Sequence, residues 1–226
     1  MTSIRGFSQT LLASWDKLDD DSKKRFIKIM EEQSNRLIHL VENMLSVTRI
    51  QSSSQKMVMS EVNIKAPIEQ IISIVKSQYP NQNFEFNYRK DLPCILADKD
   101  KFQQIMTNLI ENSAKYSYGD NKTVITTGID NENIYIKVSN TGLKIDESDY
   151  GNIFTKFSRI DNPLTRRVQG SGLGLYITKN LVEKMHGKIY VSSVQQKDNP
   201  ELSEITFTVL LPIVMIEEQA RLKCNQ

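Results

Sequence analysis

The feature that most constrains the fold is a run of apolar residues spaced three and four apart over residues 22–50. This spacing places them along one stripe of a long helix. A polar stretch over 14–21 precedes it, and residues 1–13 carry a shorter stripe of the same kind. Two consecutive helices form a hairpin, which leaves both stripes uncovered. The sequence therefore predicts a four-helix bundle built from two copies of the chain. The long stripe consists of Phe26, Ile29, Met30, Leu37, Leu40, Val41, Met44, Leu45 and Val47.

The pattern changes beyond the hairpin. The run Ser52-Ser53-Ser54 is typical of a hinge. After it, strands are predicted near 83–88, 94–97, 123–129, 133–139, 187–194 and 203–211. Helices are predicted near 65–79, 99–116, 147–153 and 172–186. This mixture indicates an α+β chain whose second part has two layers. The expected organisation is a dimerisation hairpin over 1–52, a linker over 53–61, an α/β domain over 62–212 and a tail over 213–226.

Composition excludes several classes of protein. The net charge is only +2, with Lys and Arg spread along the chain, so nucleic acid is not an expected partner. No apolar run approaches the roughly 20 residues needed to cross a bilayer, so no membrane contact by this chain is expected. Cys94 and Cys224 are far apart in sequence. This argues against a disulfide scaffold or a zinc site and favours a reducing, cytoplasmic compartment.

One helix carries a candidate site. On the predicted helix over 99–116, Asn108, Asn112 and Lys115 recur at i, i+4 and i+7, opposite the apolar side. Two amides and an ammonium on one face can bind a hydrated Mg²⁺ and neutralise a phosphate. The adjacent Tyr116 offers a ring that can stack on a base. An ordinary solvated helix face is the alternative interpretation.

A second candidate is the glycine-rich segment Gly170-Ser171-Gly172-Leu173-Gly174-Leu175, which opens the last predicted helix. Glycines let backbone N–H groups approach a phosphate, and a helix N-terminus favours an anion. The preceding stretch 155–169 contains Arg159, Arg166 and Arg167 and can form a mobile lid. A surface loop with solvated charges is the alternative.

Together these segments resemble a known family. Asn108-Leu-Ile-Glu-Asn112-Ser-Ala-Lys115-Tyr116 is similar to the N box of sensor histidine kinases, and 139–145 occupies the place of the G1 box. Residues 153–159 are similar to the F box, and 170–175 to the G2 box. The hairpin resembles the dimerisation and phosphotransfer region of the family, through residues 2–7 and 36–45. Because the order and spacing of all four boxes agree, the resemblance covers nearly the whole chain.

The resemblance implies a two-layer α/β sandwich of the Bergerat ATP-binding type. It also implies phosphoryl transfer from Mg·ATP to a histidine, and onward to the receiver domain of a response regulator. The chain would act as a homodimer in the cytoplasm, or as the cytoplasmic part of a membrane sensor. The implied catalytic residues are Asn108 and Lys115, with Mg²⁺ held by Asn112 and Asn108. The implied nucleotide-binding residues are Asn112, Tyr116, Asn140, Gly142, Phe154, Phe157, Gly170, Gly172, Leu173 and Gly174.

The sequence departs from the family at three places. Residues 2–6 are similar to the end of the family's His box, so the acceptor histidine would lie upstream of residue 1; either it lies there or the protein lacks it. His39 and His186 fall at other positions and are interpreted as ordinary helix residues. Asn140 replaces the aspartate that accepts a hydrogen bond from the adenine amino group, at a cost of about 1 kcal/mol. Lys144 replaces a glycine. We therefore expect weak ATP binding, and on charge alone Asn140→Asp should tighten it by about 1 to 2 kcal/mol.

Two other functions fit parts of this sequence. A degenerate, non-catalytic kinase acting as a dimeric scaffold or regulator agrees with the missing histidine and with Asn140, but not with the intact N and G2 boxes. A serine kinase of the anti-sigma type would share the ATP-binding fold. The helical hairpin over 1–52 argues against that second alternative.

Overall fold

A computed structural model describes residues 2–51, 56–158, 170–197, 199 and 201–214, with backbone alone at 2, 3 and 51. The chain divides into two compact units, Met1–Ser52 and Ser53–Gln226.

The first unit is a helical hairpin. It consists of α1 (Thr2–Ser14), a 3-10 turn (Trp15–Lys17) and α2 (Asp20–Gln51). The carboxylate of Asp19 accepts bonds from the N–H and the hydroxyl of Ser22, at 2.7 and 2.9 Å, and so caps the start of α2. The rings of Phe7 and Phe26 join the two helices, with centroids 5.0 Å apart. This unit confirms the predicted hairpin.

Much of the apolar surface of the hairpin stays uncovered. A fully apolar helix face exposed to water is unusual in a stable monomer. The side chains that remain 50 to 83% exposed include Leu12, Ile38, Val41, Met44 and Leu45.

The second unit is built on a five-stranded sheet with the order β2-β4-β5-β7-β6. Its strands are β2 (Asn83–Asn87), β4 (Lys122–Asp130), β5 (Asn133–Leu143), β6 (Lys188–Gln195) and β7 (Leu202–Pro212). The pair β2–β4 is parallel, and the other pairs are antiparallel. Two further strands, β1 (Met59–Val62) and β3 (Ile95–Asp98), form a small antiparallel sheet.

Among the described residues of this unit, three helices form the second layer. They are α3 (Lys65–Gln78), α4 (Lys99–Lys115) and α5 (Gly174–Lys184). The core lies between α4 and the sheet. Alternate residues of β5 are buried there, facing the apolar side of α4. The α+β architecture with a two-layer second unit is thus confirmed. Buried members of this core include Phe102, Ile105, Met106, Leu109, Ile134, Ile136 and Val138.

Two elements differ from the prediction. The strand β1 begins inside the segment 53–61, which was predicted as a linker; four residues are too few for a clear alternation signal. It pairs with β3 from Met59↔Asp98 to Val62↔Ile95. The helix predicted over 147–153 is instead two 3-10 turns, Glu147–Asp149 and Asn152–Phe154. A segment this short cannot hold an α-helix by itself, and Gly151 weakens it further.

The end of β7 returns to the start of β3. Ile213 bridges to Ile95, and the N–H of Val214 donates to the carbonyl of Cys94 at 3.2 Å. Cys94 is disulfide-bonded, whereas the separation of the two cysteines in the sequence had argued against a disulfide. Distance along the sequence was a poor guide because residues just after β7 lie beside Cys94 and Ile95 in the fold. Among the helices of the described residues, none is both long and apolar enough to cross a membrane.

Candidate functional site

Helix α4 carries the first part of the candidate site. Asp98 caps this helix, because its carboxylate accepts the N–H groups of Asp100 and Lys101, both at 3.1 Å. The helix ends where the N–H of Tyr116 donates to the carbonyl of Asn112 at 2.9 Å. The predicted face of Asn108, Asn112 and Lys115 is half-buried rather than fully solvated. We call these three residues the amide face.

The amide face is held by helix α5. The amide nitrogen of Asn108 donates to the hydroxyl of Thr178 at 2.8 Å, and its oxygen accepts a long bond of 3.5 Å from the amide of Asn112. Thr178 is buried, so this bond fixes which way the Asn108 amide faces. Sequence reasoning missed Thr178. In the sequence, the feature that could have indicated Thr178 as a site residue was its position one helical turn after Gly174.

The glycine-rich segment meets the amide face at two points. A Cβ added at Gly174, the first residue of α5, would collide with the side-chain oxygen of Asn108. A Cβ added at Gly170 would lie 3.4 Å from the hydroxyl of Tyr116 and 3.6 Å from Nζ of Lys115. The fold thus brings the two separate sequence motifs together.

The third glycine of this segment contacts the F-box segment. Gly172 has a φ of +68°, and an added Cβ would lie 2.7 Å from the carbonyl carbon of Phe157. Both the backbone angle and the close approach require glycine here. The intervening Leu173 is buried and precedes α5 as its N-cap residue.

The two phenylalanines of the F-box segment differ. Phe154 is buried and packs edge-on against Phe207, with ring centroids 6.3 Å apart. The ring of Phe157 is exposed, and its backbone has a φ of +59°. Of the two, only Phe154 anchors this segment by burying its ring. The arginines proposed for a lid, at 159, 166 and 167, lie outside the described residues.

Near the C-terminal end of α4, Asn140 is buried on β5. Its amide nitrogen donates to the carbonyls of Tyr116 and Thr141, at 3.3 and 3.1 Å. Its oxygen accepts from the hydroxyl of Ser113 at 3.2 Å. A Cβ at Gly142 would come within 3.1 Å of the Asn140 nitrogen, so glycine leaves room for these bonds.

Lys144 has its own partner. Its Nζ lies 2.9 Å from the carboxylate of Asp146, and the hydrogen bond and the nearby charge raise the pKa of Lys144. The side chain is half-exposed. The fold thus pairs the unexpected lysine with a surface acid.

Comparison with known proteins decides the family. Residues 97–214 match the family model of the histidine kinase-, DNA gyrase B- and HSP90-like ATPases. Residues 1–53 match the His Kinase A (phospho-acceptor) domain. The chain belongs to the sensor histidine kinases. The resemblance drawn from the boxes and the hairpin is therefore confirmed, and the match over the hairpin argues against a serine kinase of the anti-sigma type.

Named relatives agree with this assignment. The signal transduction histidine-protein kinase ArlS of Staphylococcus haemolyticus is 31% identical over 183 residues, covering 81% of this chain and 40% of the relative. The sensor histidine kinase WalK of Bacillus subtilis is 28% identical over 216 residues, covering 92% and 34%. The chain thus spans two fifths or less of the length of these two relatives.

Solved structures share the fold. The Acinetobacter baumannii histidine kinase AdeS has a TM-score of 0.71 at 20% identity, covering 95% of each chain. The histidine kinase ThkA, solved with the response regulator protein TrrA, has a TM-score of 0.68 at 22% identity, covering 94% of this chain and 58% of that one. ShkA, solved with AMPPNP, has a TM-score of 0.66 at 22% identity, covering 95% and 44%.

Proposed function

We propose that this chain is the dimerisation and ATP-binding part of a protein histidine kinase in two-component signalling. The observation that carries the proposal is the contact between the amide face and the start of α5. Asn108 bonds to Thr178 and fills the space left by Gly174. A polar helix face is thereby joined to a glycine-lined helix N-terminus.

The residues present fit a nucleoside triphosphate. The N-terminus of α5 favours an anion, and its glycines allow close approach by backbone N–H groups. Lys115 lies beside Gly170 and is the residue we propose for a phosphate contact. Tyr116 would flank the purine, and Asn140 would accept a hydrogen bond from it. When bound, ATP would supply the phosphoryl group that is transferred.

The residues also fit Mg²⁺, which prefers oxygen ligands and keeps several waters. The described residues contain no group of three or more His, Cys, Asp or Glu able to hold a metal. The side-chain oxygens of the amide face remain as candidates. Because the Asn108 oxygen already accepts from Asn112, we propose Asn112 as the direct ligand and Asn108 as a contact to the water shell.

Transfer would rest on positioning and electrostatics rather than on covalent chemistry by the protein. Lys115 would neutralise charge on the phosphates, and Asn108 would hold its orientation through Thr178. Neither described histidine fits the acceptor role. His39 is exposed on α2 beside Glu42, and His186 has a φ of +58° just after α5. We propose an acceptor histidine elsewhere, upstream on the same protein or on a partner.

We propose two partners, one suggested by the hairpin and the other by the solved structure of ThkA. The uncovered apolar side chains of the hairpin suit a second copy, which would complete a four-helix bundle. The ThkA structure contains a response regulator, and we propose a receiver domain of that class as the next phosphate acceptor here.

The test is a version of the chain extended upstream to include an acceptor histidine on the first helix. Incubated with γ-labelled ATP and Mg²⁺, it should gain acid-labile label. An extended version that stays unlabelled, and that binds no ATP, would favour the second candidate function, a non-catalytic dimeric scaffold. This second candidate is supported by Asn140, which replaces the aspartate of the family, and by Lys144, which replaces a glycine.

A further inference from the structure

A line of buried polar side chains runs to Asn140 from Gln82, the residue just before the edge strand β2. The amide nitrogen of Gln82 donates to the hydroxyl of Thr123 at 2.8 Å. The hydroxyls of Thr123 and Ser113 lie 3.3 Å apart, and Ser113 donates to the oxygen of Asn140 at 3.2 Å. All four side chains are buried. We call Gln82, Thr123 and Ser113 the polar relay.

The other side of the Asn140 amide is equally constrained. Its nitrogen faces the carbonyl oxygens of Tyr116 and Thr141, which can only accept hydrogen bonds. A flipped amide would set its own oxygen against both carbonyls and its N–H₂ group against the hydroxyl of Ser113. The surrounding hydrogen bonds therefore select one orientation.

We propose that the polar relay consists of positioning residues that hold Asn140 as a fixed hydrogen-bond acceptor for the nucleotide base. This inference rests on the proposed function, because it deepens the role of Asn140 in the same site. Such an acceptor selects a base with an amino group at its 6 position, as in adenine, over one with a carbonyl oxygen at that position, as in guanine.

The direction of the relay follows from a count of hydrogens. Gln82 supplies its hydrogen to the oxygen of Thr123, which leaves the hydroxyl hydrogen of Thr123 available for Ser113. Ser113 has a single hydrogen, which is then directed to Asn140 rather than back to Thr123. If Thr123 lost its hydroxyl, the hydrogen of Ser113 could turn to the carbonyl of Ser139, 3.5 Å away. Ser113 would then tolerate a flipped Asn140.

The same contacts reverse the expectation for Asn140→Asp that rests on charge alone. A carboxylate has no hydrogen to donate, so one of its oxygens would face two carbonyl oxygens at about the distances of the present bonds. The aspartate that is typical of the family is therefore not simply restored in this surrounding. We expect the variant to lose stability and not to gain affinity for ATP.

The experiment measures binding of Mg·ATP and Mg·GTP by calorimetry to the full chain and to matched variants. The unchanged chain should prefer ATP by at least about tenfold. Thr123→Val keeps the β-branched shape but breaks the relay, and it should lower this preference at least about threefold. Thr123→Ser keeps the hydroxyl and should leave the preference within about twofold. Ser113→Ala, which removes the donor to Asn140, should lower it as Thr123→Val does, and replaces that variant if it fails to fold.

A lower melting temperature of Thr123→Val with an unchanged ATP preference would overturn the proposal, because a purely structural role predicts that result. Tighter ATP binding by Asn140→Asp, with an unchanged melting temperature, would overturn it as well. If the unchanged chain binds neither nucleotide, the proposed function fails and base selection fails with it. The melting temperature of Asn140→Asp then decides separately whether the amide is held: a fall supports that part, and no change overturns it.

Discussion

The side-chain oxygen of Asn108 lies where the Cβ of any larger residue at position 174 would have to be, so these two residues fit together only when residue 174 is glycine. The contact joins the middle of α4 to the first turn of α5. Thr178, one turn further along α5, holds the same asparagine by a hydrogen bond of 2.8 Å. The amide face and the helix N-terminus are thus one structural unit.

Replacing Gly174 with alanine should break this unit. The added methyl group must push the Asn108 amide or the start of α5 aside, which costs about 1 to 3 kcal/mol. We expect Mg·ATP binding to weaken at least tenfold, on the order of 1.4 kcal/mol, and the melting temperature to fall. Calorimetry and thermal unfolding measure the two effects. The control is Gly151→Ala, where no atom lies within 4 Å of an added Cβ, and both quantities should hardly change.

Removing the hydroxyl of Thr178, which accepts a hydrogen bond from Asn108, should weaken ATP binding less than Gly174→Ala does. Thr178→Val deletes the buried hydroxyl and leaves the Asn108 amide without its acceptor, at a cost of about 1 to 2 kcal/mol. ATP binding should weaken severalfold because Asn108 loses its fixed orientation. Thr178→Ser keeps the hydroxyl and should bind like the unchanged chain. Equal loss in both variants would contradict the orienting role of this hydrogen bond, because Thr178→Ser keeps the hydroxyl that accepts it.

Asn112→Ala should separate metal binding from nucleotide binding. If Asn112 is the direct Mg²⁺ ligand, the variant should bind ATP with little dependence on Mg²⁺, whereas the unchanged chain should bind more weakly after chelation by EDTA. Gln103→Ala, on the same helix outside the amide face, should behave like the unchanged chain. A variant that keeps the full effect of Mg²⁺ would exclude Asn112 as the ligand.

These residues show how far the sequence could lead. The amide face and the glycine-rich segment were recognisable because each is contiguous or has helical spacing. The contacts between them were not, because Thr178 and Gly174 reach Asn108 only through the packing of α5 on α4. Long helices and most strands were predictable from periodicity, whereas the short strand β1 depends on pairing with β3.

Ser113 illustrates the same limit. It lies on the apolar side of α4 and is buried. Its bond to Asn140 and its place in the polar relay depend on the register between β4 and β5, in which Thr123 lies opposite Asn140. Side-chain pairs created by strand register are not visible in a single sequence.

The hairpin should make the chain a dimer. Light scattering at micromolar concentration should give about twice the monomer mass, because the exposed apolar stripe of α2 needs a partner. Val41→Lys together with Leu45→Lys should shift the mass toward that of a monomer. Glu32→Lys, an exposed and already polar position on the same helix, should leave the dimer intact. A monomeric unchanged chain would contradict the four-helix arrangement.

The chain with this sequence should not label itself on histidine. His39 is exposed on α2 and lies 3.5 Å from the carboxylate of Glu42, away from the family position of the acceptor. Phosphoryl transfer requires an in-line nitrogen at near-contact distance, which a misplaced imidazole does not supply. Incubation with γ-labelled ATP tests this. Acid-labile label that disappears in His39→Ala would show that His39 is an acceptor.

The most direct measurement is a calorimetric titration of the chain with Mg·ATP, with Gly174→Ala measured beside it. We predict one saturable site per chain, with weak affinity, that is lost or strongly weakened in the variant. A chain that shows no saturable binding at millimolar Mg·ATP, or that binds equally well with alanine at position 174, would contradict an ATP site between the amide face and the start of α5.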